Sequence, residues 1–124
     1  MRKSMWFLRK RSLGQRGEDL AARHLRRQGY KILERNVHLG KYEIDIIARE
    51  GDTVAFVEVK TRVDDSIAHP EDNVHRTKQQ KIRRAAQQYI EKNGDPKTYY
   101  RFDIVSVLVP HGRKPEITLL RDAF

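Results

Sequence analysis

Residues 42–62 read YEIDIIAREGDTVAFVEVKTR, two apolar runs joined by a short polar stretch. Both runs are rich in β-branched and aromatic residues, which favour β-strands. The joining residues, 50–53, include the pair Gly-Asp and carry a turn signal. The sequence therefore predicts an antiparallel hairpin, and the rest of the chain is interpreted around it.

Three charged residues, Asp45, Glu58 and Lys60, interrupt the predicted hairpin. A loop of two or four residues places Asp45 opposite Glu58, and side-chain alternation puts Lys60 on the same face. Directly opposed carboxylates have Cβ atoms about 5 Å apart and repel each other. A divalent cation between them would remove this conflict, and Mg²⁺ typically binds one or two carboxylates while keeping waters for a phosphate. A three- or five-residue loop would shift the register and separate the pair.

The alternative interpretation of these charges is a cross-strand ion pair on a solvated sheet face, with Lys60 bonded to Glu43 or Asp45. An acid two residues before a lysine is a weak pattern, because 35% of the chain is charged. Residues 95–97, Asp-Pro-Lys, show the same pattern inside an obvious turn. The position of Glu58 within an apolar strand, with a second acid opposite, makes its pattern the more informative one.

Further motifs follow one another along nearly the whole chain, from about residue 13 to residue 124. They are Gly17-Glu18, Asn36, Glu43-Ile44-Asp45, Phe56-Val57-Glu58-Val59-Lys60, Arg101-Phe102-Asp103 and Ala123-Phe124. This set resembles the YraN-like family of the PD-(D/E)xK nuclease superfamily, which is similar to archaeal Holliday-junction resolvases. One position departs from the family, since Tyr42 stands where a glycine is usual, and access beside Asp45 is expected to differ.

The resemblance implies a restriction-endonuclease-like α/β core and a metal-dependent endonuclease. Its catalytic residues would be Glu18, Asp45, Glu58 and Lys60. Asp45, Glu58 and the backbone carbonyl of Val59 would hold Mg²⁺ or Mn²⁺, which polarises a phosphodiester and activates a water. Lys60 would orient that water or stabilise charge on the phosphate. Resolvase-like enzymes usually act as dimers, so a homodimer is implied as well.

Composition points to a basic, cysteine-free protein of 124 residues, a length that fits one domain. Without cysteine there is no disulfide framework and no thiolate metal site, and the five histidines lack the paired spacing typical of zinc sites. The net charge of +9 predicts a polyanion partner, most often nucleic acid, and the resemblance implies that this is DNA. Solubility alone and an anionic membrane surface are the alternatives. No stretch approaches the roughly 20 apolar residues of a membrane span, so we expect a cytoplasmic protein.

The chain is predicted to divide into a basic arm, residues 1–11, and a single nuclease-like α/β domain, residues 12–124. The arm would contact phosphates and offer Trp6 for stacking on a base, or Trp6 would pack on the domain. A helix is predicted from residue 12 to residue 28, with Ser12 as its N-cap. Glu18 lies at the rim of its buried face; it either assists the metal site, as the resemblance implies, or is an N-terminal acid favoured by the helix dipole.

A second helix is predicted over residues 77–92, with Thr77 as its cap. Its first half is crowded with cations, and the residues predicted to bind nucleic acid are Lys78, Gln79, Lys81, Arg83 and Arg84. Cations near a helix N-terminus oppose the macrodipole, which suggests an external anion such as phosphate. Solvated surface charge is the alternative. In a fold of this kind, Lys78 and Gln79 are expected to reach the active site.

The remaining segments complete the predicted fold. Strands are predicted over residues 30–38, 99–109 and 116–120, with the second of these inside the sheet and Asp103 paired with Arg101. Residues 63–76 form either a substrate flap or a plain loop. The element order is α-β-β-β-α-β-β, a mixed β-sheet flanked by helices. Two functions follow, a metal-dependent endonuclease acting on structured, branched DNA and a non-catalytic nucleic-acid-binding module with the same fold.

Overall fold

A computed structural model describes residues 12–63 and 75–124 of the chain. The elements, in chain order, are α1 (Leu13–Arg27), β1 (Lys31–Leu39), β2 (Tyr42–Glu50), β3 (Thr53–Arg62), α2 (Arg76–Asn93), β4 (Tyr99–Leu108) and β5 (Glu116–Leu120). This order confirms the predicted α-β-β-β-α-β-β arrangement. The predicted basic arm, residues 1–11, and most of the candidate flap, residues 63–76, lie outside the described residues.

The five strands form one mixed sheet in the order β1-β2-β3-β4-β5. β1, β2 and β3 pair antiparallel, β3 and β4 pair parallel, and β5 is antiparallel to β4. A parallel neighbour requires a crossover connection, and α2 lies in the connection from β3 to β4. β4 is interior to the sheet, as predicted.

Each face of the sheet is covered by one helix. Ala21, Ala22 and Leu25 of α1 pack in a cluster with residues of β2, β3 and β4, including Ala55 and Val57. Residues of α2 pack in a second cluster that includes the alternate β3 positions, 54 and 56. Because successive side chains of a strand point to opposite faces, the two helices lie on opposite sides of the sheet.

The first helix begins as predicted. Ser12 and Gln15 form a capping box in which each side chain accepts a hydrogen bond from the other residue's backbone N–H, both at 3.1 Å. The predicted cap of the second helix is wrong. α2 begins at Arg76, with His75 at the N-cap and no side-chain hydrogen bond there, so Thr77 already lies inside the helix.

β1 is irregular in a way that the sequence analysis did not predict. Its register against β2 shifts between Ile32 and Glu34, which marks a bulge. Further along, Asn36 has a φ of 52°, a left-handed conformation that asparagine tolerates better than most residues. Both features twist the strand and redirect its side chains.

A network of charged and aromatic side chains joins the far ends of several strands. Asp103 is fully buried and accepts hydrogen bonds from the Tyr30 hydroxyl at 2.8 Å and from Arg101 Nε at 3.0 Å, which confirms the predicted Asp103–Arg101 pair. Arg101 also donates to Glu50 at 2.5 Å, and Arg121 donates to the same carboxylate at 2.7 and 3.0 Å. The buried charge of Asp103 is therefore compensated by several donors.

No helix among the described residues combines the length and the apolar character that crossing a membrane requires.

Candidate active site

The central hairpin has the register on which the carboxylate pair depends. Its turn is the two-residue pair Gly51-Asp52, and the paired positions run from Glu50 opposite Thr53 to Ile46 opposite Val57. An even loop is thus confirmed. The positions next in that register are Asp45 and Glu58, which brings their carboxyl groups close enough for Glu58 to raise the pKa of Asp45.

Asp45 is held by the strand opposite it. Its Oδ2 accepts a hydrogen bond from the backbone N–H of Val59 at 2.8 Å. Burial, followed by the interaction with the neighbouring Glu58 carboxyl, raises the pKa of Asp45 to about 8. Near neutral pH the pair therefore retains a proton, which is the ordinary response of two buried carboxyls placed side by side.

Glu58 lies between two lysines. Its side chain is 5% exposed, its Oε2 lies 3.8 Å from Lys60 Nζ, and it makes a closer ion pair with Lys78 from α2. The ion-pair partner of Lys60 is thus on its own strand, whereas Glu43 lies 3.8 Å from His38. This differs from the solvated cross-strand pair considered for Lys60 in the sequence analysis.

The two lysines are electrostatically different. Burial, followed by the neighbouring Lys78, lowers the pKa of Lys60. Burial opposes the charge of Lys78 too, but its contact with Glu58 outweighs this effect and raises the pKa of Lys78. Lys60 is therefore the group that more readily gives up a proton, and Lys78 is the more permanent cation.

Glu18, predicted at the rim of the first helix, is buried and oriented by β1. Its Oε1 accepts hydrogen bonds from Asn36 Nδ2 at 2.9 Å and from Arg35 Nε at 3.1 Å. Arg35 also donates to Asp19 at 2.7 Å. Glu18 is close enough for its charge to contribute to the raised pKa of Asp45. Sequence reasoning did not assign these roles to Arg35 and Asn36, although an asparagine within a strand pattern was a signal.

A cleft of about 360 Å³ brings most of the predicted catalytic residues together. It is lined by Glu18 of α1, by Asp45 of β2 and by Val59, Lys60 and Thr61 of β3, with Leu13 and Gly14 at its edge. Glu58 lies next to this group, close enough to raise the pKa of Asp45. The structure thus places Glu18, Asp45, Val59 and Lys60 around one solvent-filled space.

The close approach of α1 to β3 shapes this cleft. A Cβ atom added to Gly17 would lie 2.8 Å from both Cβ and Cγ2 of Thr61. These distances are shorter than real Cβ contacts, so only glycine permits the helix to lie this near the strand. The next residue is Glu18, whose position above Asp45 therefore depends on that approach.

The predicted nucleic-acid-binding residues of α2 occupy different environments. Lys78 contacts Glu58, and Gln79 is half-buried beside it on the helix. Arg83 lies over the rings of Phe102 and Phe124, at 4.8 and 5.6 Å from their centroids. Lys81 and Arg84 are both exposed. Arg84 donates to the Tyr42 hydroxyl at 3.3 Å. Lys78 is the member of this set with a direct contact to the carboxylate pair.

The site offers hard oxygen donors suited to Mg²⁺ or Mn²⁺. No group of three or more His, Cys, Asp or Glu residues with metal-binding geometry occurs within residues 12–63 and 75–124. A cation would therefore rely on Asp45, Glu58 and the main-chain carbonyl of Val59, with water or a phosphate completing its coordination. Mg²⁺ commonly binds in this way, so the residues present fit such an ion.

The fold and the site define a class: a mixed α/β protein whose sheet carries two adjacent carboxyls, Asp45 and Glu58, with two lysines beside Glu58. The chain belongs to the Uncharacterised protein family UPF0102, which it matches over residues 17–107. This confirms the family predicted from the motifs.

Relatives in this family cover almost the whole chain. A UPF0102 protein of Rhodococcus jostii is 42% identical over 113 residues, which is 91% of this chain and 96% of the relative. One from Chlorobaculum tepidum is 44% identical over 117 residues, covering 90% and 91%. One from Caldicellulosiruptor saccharolyticus is 38% identical over 118 residues, covering 94% and 100%.

Proposed function

We propose that this protein is a metal-dependent endonuclease that hydrolyses phosphodiester bonds in structured, branched DNA. The observation that supports it most is the pair of adjacent carboxyls Asp45 and Glu58, with Lys60 beside Glu58 and Asp45 lining a cleft. Together with Lys60, the pair has the acid–acid–lysine composition of a PD-(D/E)xK nuclease. On this basis we place the chain in that superfamily. The net charge of +9 favours a polyanionic substrate.

In this proposal Asp45, Glu58 and the carbonyl of Val59 hold Mg²⁺ or Mn²⁺. The bound ion supplies Lewis-acid polarisation of the phosphate and a lowered pKa for an attacking water. The raised pKa of Asp45, caused first by burial and then by Glu58, supports the assignment, because a cation would stabilise the ionised form of both carboxyls.

The other side chains have separate roles in the proposal. Lys60 has a lowered pKa and lines the cleft, so it is suited to orient the water, exchange a proton and stabilise charge on the phosphate. Glu18 is fixed by Asn36 and Arg35 and supports the site from α1. Lys78 can exchange its contact with Glu58 for a phosphate oxygen of the substrate.

A non-catalytic nucleic-acid-binding module is the second candidate. One observation favours it: Lys78 already pairs with Glu58 and neutralises the carboxylate pair without a metal. A fold that has lost its chemistry could retain this ion pair for stability. In both cases we propose that the protein acts in the cytoplasm as a homodimer, with residues 1–11 as a basic arm to the domain formed by residues 12–124.

The test is a cleavage assay on a panel of four-way junctions, flaps, linear duplexes and single strands, with Mg²⁺, with Mn²⁺ and with a chelator. We expect metal-dependent cleavage of branched DNA by the wild-type protein and none by Asp45→Asn. Cleavage that persists in the chelator would contradict the metal mechanism. Binding without cleavage of any substrate would favour the non-catalytic module.

Lys60→Ala distinguishes a chemical role from a structural one. If Lys60 serves the reaction, its removal should lower kcat by about two orders of magnitude while KM, DNA affinity and Mn²⁺ binding change little. If Lys60 only pairs with Glu58, the variant should melt at a slightly lower temperature and cleave normally. Measuring cleavage, DNA affinity and melting temperature on the same samples separates these outcomes, and undiminished cleavage would remove the role assigned to Lys60.

A further inference from the structure

A second concave region, larger than the carboxylate cleft, adjoins it on the described surface. A cavity of about 590 Å³ lies between the first turns of α1, the end of β3 and the turn that joins β4 to β5. It shares Leu13 with the carboxylate cleft, so the two spaces adjoin. Arg16, Arg113 and Lys114 line it, and among the described residues its lining contains no acid.

A third depression adjoins the larger cavity. Its volume is about 200 Å³, and it shares Lys114 with the larger cavity. Its basic residues are Arg23, Arg27 and Lys114, and none of the described residues that line it is acidic. Burial, followed by the charge of Arg27, lowers the pKa of His24, which lies in the same depression.

These three spaces form a continuous path along α1, which we call the α1 track and define by Arg16, Arg23, Arg27, Arg113 and Lys114. Carboxylates occur at one end of it, in the cleft with Asp45 and Glu18, and cations line the rest. α1 has 15 residues and so extends about 22 Å. Because one strand of duplex DNA carries a charge about every 3.4 Å, this length matches about six phosphates.

The cations of the α1 track have no acidic partner within the described residues, and Arg16, Arg113 and Lys114 are exposed. Several cations of α2 are already engaged, since Lys78 pairs with Glu58 and Arg83 stacks on two phenylalanine rings. An arginine without an internal partner gains more from a phosphate than one that must first leave its partner.

We infer that the α1 track is the principal binding surface for the sugar–phosphate backbone of a nucleic-acid strand that enters or leaves the carboxylate cleft. This inference rests on the proposed function for the identity of the polyanion, DNA. It assigns the backbone contacts mainly to α1 and the β4–β5 turn, whereas the sequence analysis had placed them on α2.

The test measures DNA affinity as a function of salt, in chelator, so that cleavage plays no part. The probe is a labelled four-way junction, and a labelled duplex of the same sequence serves as a second probe. The track variant is Arg16→Gln with Arg113→Gln and Lys114→Gln. A control of equal charge change carries Lys31→Gln, Lys92→Gln and Lys97→Gln, all exposed residues outside the track. A third protein carries Lys81→Gln, Arg83→Gln and Arg84→Gln on α2.

Each lost phosphate contact lowers the steepness of the plot of log affinity against log salt by about 0.9. The track variant should therefore lose about 2 to 3 from that slope, with an unchanged melting temperature, while the control loses less than about 1. Equal losses in track variant and control would overturn the inference, because the effect would then be one of net charge. A loss confined to the α2 variant would overturn it too, as would a wild-type protein that binds neither probe.

The cleavage assay described above is independent of this result. If the protein binds through the track and cleaves no substrate, the nuclease proposal fails and the α1 track remains. If it cleaves with metal and the track variant retains the wild-type salt dependence, the nuclease proposal remains and the track fails.

Discussion

At the scale of single residues, Asn36 shows how a strand can be shaped to serve a site. It lies between the paired positions Arg35–Ile46 and Val37–Ile44, and so lies across from Asp45. Its left-handed backbone interrupts the regular alternation of β1 and its amide donates to Glu18. A backbone held in this sparsely populated region is commonly associated with functional sites. Asn36 thereby links the position of Glu18 on α1 to the strand beside Asp45.

The raised pKa of Asp45 gives metal binding a definite pH dependence. A cation requires the ionised carboxylate, and below about pH 8 it must displace a proton from Asp45. Apparent Mn²⁺ affinity should therefore rise by up to about tenfold per pH unit below that value and level off above it. Calorimetric titration of Mn²⁺ should detect binding to the wild-type protein and none to Asp45→Asn.

Asp95→Asn is the matched control for that titration. Asp95 stands two residues before Lys97 in a turn, the same spacing that Glu58 has to Lys60. Its carboxylate accepts a hydrogen bond from Lys97 N–H at 2.8 Å. Its substitution should leave Mn²⁺ binding unchanged. Equal heats from the wild-type protein and Asp45→Asn would show that the ion binds elsewhere.

Those features of the site that depend on interactions between neighbours in the sequence could be predicted, and those that depend on tertiary packing could not. The opposition of Asp45 and Glu58 depends on turn length and side-chain alternation, both of which can be derived from the hairpin sequence. The ion pair of Lys78 with Glu58 depends instead on how α2 lies over the sheet, and the contacts of Arg35 and Asn36 depend on a local irregularity of β1. Such tertiary geometry is not encoded in spacing alone.

At the scale of elements, the placement of α1 against β3 depends on Gly17. Gly17→Ala would force a methyl group against the β-branched side chain of Thr61, so helix or strand must move. We expect a loss of about 1–3 kcal/mol in the free energy of unfolding, measured by chemical denaturation. Because Glu18 follows directly, cleavage should fall as well.

Gly14→Ala is the control on the same helix. An added Cβ there has one neighbour within 4 Å, Ser12 Oγ at 3.9 Å, which is an ordinary contact. Alanine has the higher helix propensity, so this variant should be as stable as the wild-type protein or more stable by up to about 1 kcal/mol. Equal stability of Gly17→Ala and Gly14→Ala would mean that the close approach of α1 does not matter.

The network around Glu50 ties the end of β2 to β4 and to the residues after β5. Hydrogen bonds from Arg121, followed by those from Arg101, lower the pKa of Glu50 to about 2. A lowered carboxyl pKa contributes stability that is complete above about pH 4.5 and is lost as the pH falls towards 2. Glu50→Gln should therefore cost about 1–2 kcal/mol near pH 7 and progressively less in acid.

Thermal melts of Glu50→Gln and wild type across this pH range test the network, with the exposed Glu116→Gln as control. The melting temperatures of Glu50→Gln and wild type should converge as the solution is acidified. A difference between them that stays constant with pH would show that the effect comes from packing, not from charge.

At element scale, the sequence predicted the number, type and order of helices and strands, because hydrophobic periodicity and turn residues are local signals. It misplaced the start of α2 by using Thr77 as a cap, although the helix begins without a side-chain cap at all. It also missed the bulge after Ile32, which changes register without a glycine or proline to mark it.

At the scale of the whole molecule, strand order in the sheet follows chain order throughout. The three antiparallel strands β1, β2 and β3 are joined by two-residue turns, Gly40-Lys41 and Gly51-Asp52, with both glycines at positive φ. This is why the order of β1 to β4 could be derived from the sequence: each connection among them is either a tight turn or a crossover. The parallel pairing of β3 with β4 requires the crossover connection that contains α2.

That strand order has a consequence for how the protein folds. Asp45 and Glu58 both belong to the antiparallel strands β1–β3, here called the meander, whose contacts are local in the sequence. Their neutralising partner Lys78 belongs to α2, the crossover helix that follows these strands in the chain. Local contacts form before distant ones. A transition state made of the meander would therefore hold two carboxylates together before Lys78 arrives, and their repulsion would slow folding at alkaline pH.

Stopped-flow refolding measures this directly. Wild-type refolding should be faster near pH 6 than near pH 9, because the Asp45–Glu58 pair retains a proton at the lower pH. Asp45→Asn should refold faster than wild type near pH 9 and show less pH dependence. If wild type and Asp45→Asn refold at identical rates at both pH values, Asp45 and Glu58 come together only after the folding transition state. If the rates differ as expected, the charges proposed to serve catalysis also limit how fast a newly made chain becomes native.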